Sequence, residues 1–131
     1  MLAKKINADG CHLGQTDMNI VLARKILKKH IIGITCHNSK KLIKKAIKNK
    51  ASYIALGSFF STKTKKTKYK ANTKILNWSK KTTNIPIVAI GGIKLNNYKK
   101  LLLNKANFLA ISGYIWNNKK YKPLEAIKKL K

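Results

Sequence analysis

The feature that most constrains this chain is an alternation. Short apolar runs are each followed by a lysine-rich stretch whose apolar residues recur at helical spacing, with a repeat of about 25 residues. Ala8–Leu13 reads as a strand, and Asn19–Lys29 as a helix with Ile20, Ala23, Ile26 and Leu27 on one side. His30–Cys36 is a β-branched second strand. Asn38 or Ser39 can cap the next helix, which keeps Leu42, Ile43, Ala46 and Ile47 on one face. Ser52–Leu56 is a third strand, closed by Gly57; Ser58–Asn72 reads as one long irregular stretch, and Thr73–Lys81 as a short helix. Ile85–Ile90 is a fourth strand ended by Gly91-Gly92, Leu95–Asn104 is helical, and Phe108–Ser112 is a fifth strand ended by Gly113. Pro123 suits the first turn of a last helix, Pro123–Leu130.

Near-continuous apolar strands alternating with helices mean βαβ units and a parallel sheet. No low-complexity linker interrupts them, so residues 1–131 read as a single domain. Two architectures fit the spacing: a doubly wound sheet, or a slice of a (β/α)8 barrel. A complete barrel needs at least ~200 residues, so this chain supplies roughly five of eight units.

Charge narrows the function classes. The 30 basic residues face only 3 acidic ones, for a net charge of +27. The acids are Asp9, Asp17 and Glu125, and Arg24 is the sole arginine. Nucleic-acid readers use arginine for bidentate contacts. Lys, Asn and Ile share A/T-rich codons, so much of the lysine reads as genomic composition bias. The field still attracts anions, phosphorylated small molecules included. Two cysteines are too few for a disulfide scaffold, which points to a reducing, cytoplasmic setting. No window reaches the ~18 apolar residues of a membrane helix, and the N-terminus lacks a signal-peptide core.

Parallel α/β folds bind ligands at the carboxyl ends of their strands. Those tips are Gly14-Gln15-Thr16-Asp17, Thr35-Cys36-His37-Asn38, Gly57–Lys66, Gly91-Gly92 and Ser112-Gly113. The two glycine sites fall on consecutive strands, where backbone N–H groups can approach a phosphate. Thr62, Thr64 and Lys65 offer hydroxyls and an ammonium suited to phosphate oxygens, or equally a solvated basic loop. Asp17 can hold Mg²⁺ beside a polyphosphate, although its spacing favours a helix N-cap. Cys11, His12, Cys36 and His37 make no zinc pattern, and the cysteines are expected to be structural. No Ser-His-Asp set or paired-carboxylate machinery is visible.

Read together, the tips resemble thiamine-phosphate synthase. The resemblance rests on Ala8-Asp-Gly-Cys-His-Leu-Gly-Gln-Thr-Asp17, Ile32–Asn38, Tyr53–Lys65 with its Ser-Thr-Lys-Thr-Lys run, Ile85–Ile93 and Ala106–Gly113. It implies a partial TIM (β/α)8 barrel whose five parallel units correspond to strands 4–8. It implies a transferase that joins hydroxymethylpyrimidine diphosphate to thiazole phosphate, giving thiamine phosphate and pyrophosphate. Asp17 is then the Mg²⁺ ligand, and Thr35, where the family usually has serine, contacts the diphosphate. Lys65 neutralises the departing pyrophosphate. Thr62, Lys63 and Thr64 line the thiazole-phosphate site, and Gly92, Ser112 and Gly113 cradle its phosphate. Ser61 replaces the family's usual proline, and Ser112-Gly113 departs from its aliphatic-Ser pair.

Against that family the chain starts just before the fourth strand. The resemblance therefore implies that the Gln/Arg/Lys group gripping the pyrimidine diphosphate, and the Asn-Asp pair with a second Mg²⁺ ligand, lie outside it. The expectation is a truncated reading of a longer gene or a half-barrel that pairs with itself or another chain, with little activity as an isolated monomer. The competing readings are a thiazole tautomerase, a lysine-driven nucleic-acid binder and an inactive remnant.

Overall fold

The computed structural model describes residues 1–62 and 68–130. The elements in chain order are α1 (Leu2–Lys5), β1 (Gly10–Leu13), α2 (Ile20–Leu27), β2 (Ile31–His37), α3 (Lys40–Lys48) and β3 (Tyr53–Leu56). They continue with α4 (Thr73–Thr82), β4 (Ile87–Ile90), α5 (Tyr98–Leu103), β5 (Phe108–Ala110), α6 (Gly113–Trp116) and α7 (Pro123–Lys129). The five strands form one sheet in the order β1-β2-β3-β4-β5, and every pairing is parallel. A doubly wound sheet would reverse its strand order at a switch point. The sequential order instead lets right-handed crossovers place the helices on one side of a curling sheet, the geometry of a barrel segment.

The helix-facing side is the core. Ile32, Cys36, Ile54, Leu56, Ile87 and Ala89 are fully buried there, against Ala23 and Leu27 of α2, Ile43 of α3, Leu76 of α4 and Leu101 of α5. Each of the Ile and Leu side chains contributes about 1.5–3 kcal/mol by leaving water. In α3, Ile43 and Ala46 are buried while Leu42 and Ile47 pack half-buried beside them, so the predicted stripe is the packed one. Ser39 caps this helix by accepting from Leu42 N–H.

The other side of the sheet is concave and carries two register rows. His12, Gly33 and Tyr53 lie side by side, and Thr35, Ala55, Val88 and Phe108 form the next row. Phe108 is 60 % exposed and Ile31 53 % exposed. Large apolar side chains stand uncovered on this face of the open sheet.

Some local expectations fail for identifiable reasons. The N-cap of α2 is Asn19, whose Oδ1 accepts from Val21 N–H at 2.8 Å; Asp17 does not cap. Helix α5 begins at Tyr98, because Asn97 Oδ1 accepts from Lys94 N–H and closes a turn over the three preceding residues. Leu102 and Leu103 are then exposed, and Leu101 carries the packing. The short helices α1 and α6 have no counterpart in the periodicity reading.

Arg24, the sole arginine, sits at the amino-terminal ends of the strands. Its Nη1 donates to the carbonyls of Lys28 and His30 at 2.7 and 2.6 Å. Its Nη2 donates to the Lys50 carbonyl at 2.8 Å and reaches Ser52 Oγ at 3.3 Å. The Ser52 hydroxyl in turn accepts from Ile32 N–H. The fork thus ties the chain leaving α2 to the chain leaving α3, a task a lysine's point charge does not perform.

Candidate functional site

Two cavities open side by side at the carboxyl tips of the strands. The first, about 600 Å³, is lined by Gly14, Gln15 and Asp17 after β1, Thr35 and His37 of β2, Ser58, Thr62, Lys68 and Tyr69 from the segments after β3, and Gly91. The second, about 690 Å³, is lined by Ser61, Thr62, Gly91, Gly92, Ser112, Gly113 and Tyr114. Thr62, Ile90 and Gly91 border both. Asp17, Thr35 and Thr62 therefore share one cavity, and Thr62, Gly92, Ser112 and Gly113 share its neighbour. Lys63, Thr64 and Lys65 lie outside the described residues.

Asp17 is held at the rim by its own loop. Gly14 N–H donates to Asp17 Oδ2 at 2.6 Å, while Asp17 N–H returns to the Gly14 carbonyl at 3.3 Å. The Gln15 side-chain amide donates to the Thr35 carbonyl, which ties this loop to the tip of β2. Because Asn19 does the capping, the Asp17 carboxylate stays at the cavity. The other acids are elsewhere: Asp9 precedes β1, and Glu125 accepts from Lys122 N–H at the start of α7.

The hydroxyl of Thr35 is engaged from below by a histidine. His12 Nε2 lies 2.8 Å from Thr35 Oγ1, and His12 Nδ1 lies 2.9 Å from the Tyr53 hydroxyl. The two rings are tilted at 30° with centroids 5.5 Å apart. Tyr53 lies across Gly33, where a Cβ would come within 2.0 Å of its ring, so the glycine makes room for this row. Partial desolvation on the concave face lowers the His12 pKa below its ordinary value, with Asp17 pulling the other way. Burial raises the Tyr53 pKa, and Cys11 adds to it.

His37 joins the cavity through a register shift between Thr35 and His37 that gives it a φ of +52°. Its ring stacks on Tyr69 with centroids 3.8 Å apart at 18°. His12, Tyr53, His37 and Tyr69 were not singled out as site residues from sequence. The signal for the first two was period-2 alternation, which puts them on the same face as Thr35 once strand register is known.

The Gly91-Gly92 pair has a structural duty. Gly91 (φ +98°) and Gly92 (φ +61°) have left-handed backbones. A Cβ on Gly91 would meet Ser58 Oγ at 2.0 Å, and one on Gly92 would meet the Ser61 carbonyl at 2.4 Å. Phe59 and Phe60 N–H donate to the Ile90 and Gly91 carbonyls, both at 3.1 Å. The segment after β3 is thus laid directly over the tip of β4, and the missing side chains admit protein backbone there.

The donor set bears on a metal. No group of three or more His, Cys, Asp or Glu that could hold an ion is present among the described residues. One carboxylate at the rim of a cavity of about 600 Å³ does fit Mg²⁺, which keeps several waters and is commonly bound by one or two carboxylates plus substrate phosphates. It does not fit a cation enclosed wholly by protein. Cys36 is buried, with its thiol pKa pushed up to about 12, and Cys11 is half-buried; both are free. No helix among the described residues is long and apolar enough to cross a membrane.

A sequentially ordered parallel sheet with adjoining cavities at its strand tips places the chain in the (β/α)-barrel class. The comparisons narrow the class. The family model for thiamine monophosphate synthase matches residues 1–115. A thiamine-phosphate synthase of Pelagibacter ubique is 72 % identical over all 131 residues, which span 63 % of that protein. One from Rhodospirillum centenum is 40 % identical over 118 residues, covering 89 % of this chain and 57 % of its own length. A thiamine phosphate pyrophosphorylase from Pyrococcus furiosus superposes with a TM-score of 0.86 at 29 % identity, over 98 % of this chain and 60 % of that one. The chain belongs to the thiamine monophosphate synthase family. It spans somewhat under two thirds of the length of these relatives.

Proposed function

We propose that this chain carries the strand-tip half of a thiamine-phosphate synthase site, one that joins hydroxymethylpyrimidine diphosphate to thiazole phosphate and releases pyrophosphate. The observation that supports it most is the adjacency of the two cavities across Thr62. The first holds Asp17 and Thr35, suited to a diphosphate; the second holds Gly92, Ser112 and Gly113, suited to a single phosphate.

The chemistry asks little of a nucleophile. As the pyrimidine methylene carbon loses pyrophosphate, positive charge grows on that carbon and negative charge on the leaving oxygens. Groups that stabilise the latter lower the barrier. Thr35 donates a hydrogen bond to the leaving diphosphate, and Lys65 neutralises it. Thr62, Lys63 and Thr64 hold the thiazole phosphate, with the backbone N–H groups of Gly92, Ser112 and Gly113 around it. Asp17 holds Mg²⁺, which when bound supplies charge neutralisation at the diphosphate. The two free thiols suit a cytoplasmic enzyme.

The test is an assay for pyrophosphate and thiamine phosphate, with both substrates and Mg²⁺. The chain is assayed alone and together with the remaining part of the Pelagibacter ubique relative supplied as a second polypeptide. Little turnover alone and clear turnover in the mixture are expected. No product in either case would overturn the proposal, and thiazole aromatisation without coupling would turn it into a tautomerase.

A further inference from the structure

His12 lies between two hydroxyls, and that placement has a directional consequence. A neutral imidazole has one N–H donor and one bare nitrogen acceptor. Two arrangements satisfy the contacts of 2.9 Å to Tyr53 and 2.8 Å to Thr35. In one, Nδ1–H donates to the Tyr53 oxygen and Thr35 gives its only proton to Nε2. Thr35 then turns lone pairs toward the cavity. In the other, the Tyr53 O–H donates to Nδ1, Nε2–H donates to Thr35 Oγ1, and the Thr35 proton is released to point outward.

A diphosphate oxygen only accepts, so it meets the first arrangement with acceptor against acceptor and the second with a donor. We propose that His12 is a positioning residue whose tautomer is set by the anion at Thr35. Bound diphosphate selects the Nε2–H form, and Tyr53 holds that form by donating to Nδ1. The result is a chain of donors, Tyr53 to His12 to Thr35 to phosphate, in which each bond polarises the next. No covalent bond between heavy atoms changes; the imidazole exchanges its proton with solvent between the two forms. The inference rests on the reading that Thr35 meets the diphosphate. The geometry favours such a relay because Gly33 leaves the room that Tyr53 fills, which brings its hydroxyl to His12.

The experiment uses the full chain uniformly labelled with 15N, so that histidine ring nitrogens and backbone amides are both read, near neutral pH and at physiological salt. The probe is inorganic pyrophosphate with Mg²⁺. The chain has three histidines, so His12→Asn assigns the signal. The backbone amide of Thr35 reports binding at the site. The expected result is saturable binding with the His12 pair of nitrogen signals moving to the Nε2–H pattern. Tyr53→Phe should weaken that tautomer shift and lower pyrophosphate affinity by roughly fivefold. Binding at Thr35 with no change in the His12 tautomer would overturn the inference and leave the diphosphate reading standing. Failure of pyrophosphate to perturb Thr35 saturably would overturn the diphosphate reading, and the relay with it.

Discussion

The two ends of the sheet are built to opposite rules. At the amino-terminal end, Arg24 spends its fork on three backbone carbonyls and a serine hydroxyl, all of them protein groups. At the carboxyl end, Asp17, Thr35, Gly92 and Ser112 instead line two open cavities. In (β/α) barrels the first end carries stability and the second carries function. The contrast also explains the fate of the most conspicuous residue type for nucleic-acid recognition, since the sole arginine is consumed in holding the fold.

The division can be broken most forcefully at the stable end. Arg24→Ala should cost about 2–3 kcal/mol of unfolding free energy, because it strips charged donors from several carbonyls at once. Arg24→Lys should recover little of it, since the fork is lost. Denaturant unfolding measures both, while pyrophosphate affinity per folded molecule should stay unchanged. At the other end, Thr35→Val should leave stability within about 1 kcal/mol. The same change should cut turnover of the completed enzyme by roughly 100-fold if the hydroxyl faces the developing charge. A comparable loss of folding stability in Thr35→Val would erase the distinction.

A smaller effect sharpens the comparison through pH. The folded His12 has a pKa below its ordinary 6.5, so the unfolded chain takes up a proton at this position first. Stability should therefore fall as pH drops below about 6.5 and continue falling until the folded group is also protonated. His12→Asn should flatten that slope in unfolding experiments, and an unchanged slope would contradict the burial described here.

Much of this architecture was legible in the chain because its signals are local. Ile43 and Ala46 lie on the stripe that helical spacing picks out, and Gly91-Gly92 marks the end of β4. The choice between a doubly wound sheet and a barrel was less accessible from spacing, because strand order is a tertiary property; the family resemblance supplied it. The His12–Thr35–Tyr53 cluster was invisible for the same reason. These residues are 23 and 41 positions apart from His12, and only the parallel register aligns them. Asp17 misled because a carboxylate two residues before an equally competent Asn19 looks the same as a cap until the hydrogen bonds are seen. Helix α6 is a single short turn, below the length at which periodicity carries information.

The central claim is that consecutive strand tips form one two-chambered site. It is tested most directly by mapping backbone amide shifts of the full chain on titration with thiamine phosphate plus pyrophosphate at physiological salt. The account predicts saturable changes confined to two groups: Asp17, Thr35 and Thr62 on one side, and Gly92, Ser112 and Gly113 on the other. Lys28, His30 and Lys50 at the Arg24 end should stay still. Shifts spread over the lysine-bearing helix faces, or centred on the Arg24 end, would contradict it.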